Sequence, residues 1–123
     1  MRFMEAAEVL AARLADGDDD LAAGGALQLM IDAWRYLGGS DPAWDRFGLE
    51  VLDVRSRMYP DEVAVAADVP DADRPQLRTA VRDLVEQLAR HHERHAVDHD
   101  DLAHRLSHDA TAQQLRRAAA ALI

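Results

Sequence analysis

The segment PQLRTAVRDLVEQLARHHERHAVDHDDLAHRLSH, from Pro75 to His108, decides the fold class. It opens as an amphipathic helix, with Leu77, Val81, Leu84, Val85 and Leu88 at spacings of three and four. Histidines then occupy the positions where apolar residues would continue. At about 100° per residue, an unbroken helix puts Leu77, Val81, Leu84, Leu88, His92, His95, His99, Leu102 and Leu106 on one stripe. Such a helix would be about 50 Å long at about 1.5 Å per residue, longer than a domain of this size. It therefore bends near Asp98–Asp101 or protrudes to pair with a second copy. In the first case Asp98 or Asp100 caps a fresh helix from Leu102; in the second the histidines line a seam.

The flanking segments point to the same class. Arg2–Ala15 carries Phe3, Ala6, Ala7, Leu10 and Leu14 on one side. Leu21–Leu37 carries Leu27, Met30, Ile31, Trp34 and Leu37, and stops at Gly38-Gly39. Asp41-Pro42 supplies an N-cap and a proline at the first helical position, so Pro42–Met58 reads as a third helix with Trp44, Phe47, Val51 and Met58 inward. Trp34, Trp44 and Phe47 are the expected core centre. Gly24-Gly25 is costly inside a helix, and implies either a start near Ala26 or another helix packed closely there. Between Tyr59 and Arg74, with prolines at 60 and 70, residues 62–66 are expected as a helical turn and 68–74 as a connecting loop; Asp73 is the expected cap of the next helix. Ala110–Ile123 reads as a last helix. The expected fold is one all-α domain over residues 1–123, a compact bundle of five to six helices with a long helix from about 74 to 108, bent or unbroken.

Composition narrows the function classes. With 14 basic and 23 acidic residues the net charge is −9, which repels phosphate backbones and argues against a nucleic-acid partner. There is no cysteine, so disulfides and thiolate chemistry are excluded. No stretch has the length of a membrane span, and the N-terminus lacks a signal-peptide pattern; a cytoplasmic protein without membrane contacts is expected. Ser40, Ser56 and Ser107 lie in no strand-turn-helix elbow. Asp16–Asp20 looks like part of a calcium loop but has Leu21 and Leu27 where that loop needs its glycine and its bidentate acid; an aspartate N-cap is the expectation there.

All six histidines fall between His91 and His108. Imidazoles one helical turn apart can chelate one ion, and His91 with His95, His95 with His99, and His104 with His108 have that spacing. His91, His95 and His99 are the candidate ligands, for a divalent transition metal. In spacing, His104 with Asp109 resembles the last two ligands of the hemerythrin-type iron proteins, and His91 with His95, or His95 with His99, resembles their middle pair. That family also takes histidines and a glutamate from earlier helices, and no histidine precedes His91. Glu5-x-x-Glu8 and Glu50-x-x-Asp53 resemble the magnesium-binding pairs of all-α nucleotide pyrophosphohydrolases. With no motif that fixes a reaction, the primary expectation is a non-enzymatic interaction or accessory module that binds a protein partner or itself as a homodimer. A metal-binding helical protein or enzyme is the alternative, ahead of the pyrophosphohydrolase.

Overall fold

A computed structural model describes residues 1–123 except 18, 62 and 71, so the parts of the loop and turn expectations that rest on those three positions lie outside the described residues. The fold is all-α, with five helices and no strand among the described residues: α1 (Phe3–Asp16), α2 (Asp20–Leu37), α3 (Pro42–Met58), α4 (Pro75–Asp98) and α5 (Leu102–Ala120). The long helix does break at the aspartate-rich corner. The cap of the following helix is Asp101, whose Oδ1 accepts from Ala103 N at 2.9 Å, rather than Asp98 or Asp100. Residues 102–120 form one continuous helix, not a short helix followed by another.

Caps set the other boundaries. Asp19 accepts from Ala22 N and Asp41 from Ala43 N, each at 2.9 Å. Asp73 does not cap α4; its carboxylate receives Arg78, which also reaches Asp41 at 2.8 Å, so that α4 is tied to the start of α3. The Leu14 carbonyl near the end of α1 accepts from the Arg94 guanidinium of α4 at 2.8 Å.

The buried side chains of all five helices form one cluster, with Trp44, Phe47, Leu84, Leu88 and Leu115 among its largest members. Trp44 and Phe47 meet edge to face with centroids 5.6 Å apart, a favoured aromatic geometry. Trp34 lies at the margin of the cluster, its indole flat against the hydrogen face of Gly48, where a Cβ would run into the ring.

Two further expectations are corrected. Residues 63–70 are coil, not a helical turn. Val63 lies over Gly24, while Val65 and Leu10 lie over Gly25. Gly24 therefore receives the crossing loop, Gly25 receives both that loop and Leu10 of the packed helix α1, and α2 starts at Asp20, well before Ala26. The second correction concerns phase. Because the chain turns at 99–101, Leu102 and Leu106 leave the inward stripe and are 65% and 60% exposed. The face of α5 that continues the core carries His108, Thr111, Leu115 and Ala118. No helix among the described residues is long and apolar enough to cross a membrane.

Candidate functional site

The last two turns of α4 and the first half of α5 converge on the start of α2, and the histidines fill the junction. His91 and His95 stand one turn apart on α4, their ring centroids 4.5 Å apart and their planes tilted by 59°. Asp20 is the first residue of α2. Asp19 already serves as the cap, so the Asp20 carboxylate is left to point across to α4. Its Oδ1 lies 3.6 Å from His91 Nε2 and 3.6 Å from His95 Nε2. The three donor atoms all fall within 4.8 Å of one another. In a tetrahedral site with metal–nitrogen bonds of about 2.0–2.1 Å, neighbouring donors are separated by about 3.4 Å, close to the two 3.6 Å spacings from Asp20 to the imidazoles. Two imidazoles and a carboxylate form a set that suits zinc or iron(II) and leaves coordination positions open.

The three donors border a pocket of about 230 Å³, shared with Met58, Tyr59, His92 and His108. Its polar wall is a hydrogen-bonded row: Tyr59 Oη lies 2.7 Å from His92 Nε2, and His92 Nδ1 lies 2.9 Å from His108 Nδ1. Burial, reinforced by the neighbouring His91, His108 and His95, pushes His92 down to about 3. Burial also lowers His108, with His95 adding to the effect. The Tyr59 phenol is raised by burial and by the nearby Asp20 carboxylate. The row is thus neutral at physiological pH. The tautomers that satisfy it have Tyr59 donating to His92 Nε2 and His92 Nδ1–H donating to His108.

Of the sequence candidates, His91 and His95 come together with Asp20. His99 lies at the C-cap of α4 with its ring 4.6 Å from His104 and 6.2 Å from His108, centroid to centroid. Asp20 and Tyr59 were not recognised from the sequence. The available signal for Asp20 was a second aspartate directly after the one that caps α2. The two acidic pairs are not brought together: Glu5 and Glu8 are on α1, Glu50 and Asp53 on α3, and these helices do not pack on each other among the described residues. Asp53 is held by Arg57 and by Gln114 Nε2 at 2.8 Å, with the Gln114 bond the main cause of its lowered pKa. His104 and Asp109 both lie on exposed parts of α5. Compared with protein-family models, with curated proteins and with solved structures, the chain has no significant match in any of the three.

Proposed function

We propose that this protein binds a divalent transition metal through Asp20, His91 and His95. The observation that carries the reading is the equal 3.6 Å approach of one carboxylate oxygen to two imidazole nitrogens from a different helix. Imidazole selects borderline cations such as zinc, while calcium and magnesium prefer all-oxygen sets. The three donors line the pocket beside Tyr59 and His92, which at about 230 Å³ has room for a metal with water or a small ligand on it. Calorimetric titration of zinc into metal-free protein tests the reading. One tight equivalent that disappears in the double variant His91→Ala, His95→Ala supports it; unchanged tight binding in that variant overturns it.

A second reading, the self-associating interaction module, draws its support from the corner between α4 and α5. Val97, Leu102 and Leu106 are exposed there, and Asp98, Asp100 and Asp101 lie beside them in the chain. On this reading the apolar side chains are covered by a partner. A mass by light scattering that equals the monomer at every accessible concentration would refute the homodimer.

A further inference from the structure

We propose that His99 and His104 form a second, outer site for the same class of cation, lying on the route by which the metal reaches Asp20, His91 and His95. The proposal rests on the inner site proposed above, and it starts from a repetition in the geometry. The inner imidazoles stand 4.5 Å apart with planes tilted by 59°; those of His99 and His104 stand 4.6 Å apart with a tilt of 57°. Each pair also has a carboxylate from a helix N-terminus close by. For the inner pair this is Asp20, at 3.6 Å; for the outer pair it is Asp101, whose Oδ2 lies 3.5 Å from His104 Nδ1.

The two sites differ in ways that set their order of strength. Asp101 faces the Nδ1 edge of His104, the position from which a carboxylate orients a metal-bound imidazole, and this leaves Nε2 to ligate. The outer site therefore has two nitrogen ligands and an orienting acid. The inner one has two nitrogens and an oxygen. The His104 side chain is 62% exposed, whereas the inner imidazoles of His95 and His91 are 29% and 4% exposed; the carboxylates are open at both sites, 57% for Asp101 and 86% for Asp20. A cation at the outer site keeps most of its water and binds more weakly.

The rings between the sites are continuous. From His104 the sequence of contacts passes to His99 at 4.6 Å, to His108 at 6.2 Å, to His95 at 5.4 Å and to His91 at 4.5 Å. Exposure falls along it, from 62% at the His104 side chain to 29% at His95 and 4% at His91. Asp98, Asp100 and Asp101 precede or form the turn at the outer end, and fixed negative charge concentrates cations there. A run of borderline nitrogen ligands, graded from wet to dry and acidic at its mouth, has the chemistry needed to strip and pass a zinc-like ion.

The experiment titrates metal-free full-length protein with zinc chloride by calorimetry and follows uptake with a zinc-sensitive dye in stopped flow. Three proteins are compared: the wild type, His99→Ala with His104→Ala, and Asp101→Asn, which keeps a capping residue. The expected result is a tight and a weak equivalent in the wild type. The double variant is expected to lose the weak equivalent, keep the tight affinity, and take up metal about tenfold more slowly; Asp101→Asn weakens only the weak equivalent. Circular dichroism confirms that each variant is folded. A wild type with a single equivalent, a double variant that keeps both, or unchanged uptake kinetics would each overturn the proposal. Failure of the inner site is read separately, as a tight equivalent that survives His91→Ala with His95→Ala.

Discussion

Tyr59 Oη and His92 Nε2 lie 2.7 Å apart, joining the residue that follows α3 to a buried imidazole of α4. The same imidazole reaches His108 on α5, so three segments of the chain meet in one polar row. Removing one member strands another. Tyr59→Phe keeps the ring and takes away the partner of His92 Nε2, and is expected to lower stability by about 1–3 kcal/mol, the cost of an unsatisfied buried polar group. Urea denaturation of the two proteins measures this directly; equal midpoints would show that the row contributes nothing.

His92 also sets a pH dependence. Its folded-state pKa of about 3 lies below the ordinary 6.5, so the unfolded chain binds the extra proton first. Stability of the metal-free protein is fully present above pH 6.5 and falls as the pH drops from 6.5 toward 3, by about 1.4 kcal/mol per unit at most for this one group. The lowered His108 acts in the same direction. Thermal melts between pH 7.5 and 4.5 should show the decline, and His92→Leu should make it shallower. A melting temperature flat across that range would count against a buried neutral His92.

Three helical glycines separate by what faces them. At Gly48 a Cβ would collide with the Trp34 indole, so Gly48→Ala is expected to cost about 1–3 kcal/mol as an overpacked site. At Gly25 the nearest atom would be a Leu10 methyl at 3.4 Å, an ordinary contact, so Gly25→Ala should gain up to about 1 kcal/mol of helix propensity. At Gly24 a Cβ would come within 2.9 Å of Val63 Cγ2, so Gly24→Ala should fall between them. The order of melting temperatures, Gly25→Ala above Gly24→Ala above Gly48→Ala, checks how closely the loop and the indole pack.

The contrast among these residues also explains how much was legible in the sequence. Boundaries marked by local chemistry were readable: Asp41-Pro42 opens α3 and Gly38-Gly39 ends α2 because caps and prolines act on their own turn. Residues 63–66 were not, since Val63 and Val65 pack as coil on Gly24 and Gly25 of α2, a contact distant in sequence that their own propensities do not show. The stripe through Leu102 and Leu106 failed for a geometric reason: the turn at 99–101 resets the rotation of everything after it. At the site, the i, i+4 spacing pointed to His91 with His95, but equally to His95 with His99 and His104 with His108. Asp20 lies far away in sequence and looks locally like one more acid at a helix start, so only the packing of α2 on α4 reveals it.

Asp20 gives the most selective change at the proposed metal site. Asp20→Asn keeps the shape of the side chain, leaves Asp19 as the cap and removes the anionic ligand. Zinc affinity is expected to fall by at least about 10–100-fold, the range already seen for groups that only orient a ligand. Folding should be unaffected because the Asp20 side chain is 86% exposed. Competition against a chelator of known affinity reads the change, and equal affinities would remove Asp20 from the ligand set.

Cobalt(II) titration of the metal-free protein, followed by visible absorption, tests the central claim most directly, because cobalt reports the number and symmetry of its nitrogen and oxygen ligands. The wild type is expected to develop the intense bands of a low-coordinate site, saturating at one tight equivalent, and to lose them in His91→Leu with His95→Leu while remaining folded. Only the faint spectrum of hydrated cobalt in the wild type, or the same bands in the double variant, would contradict a metal centre built from Asp20, His91 and His95.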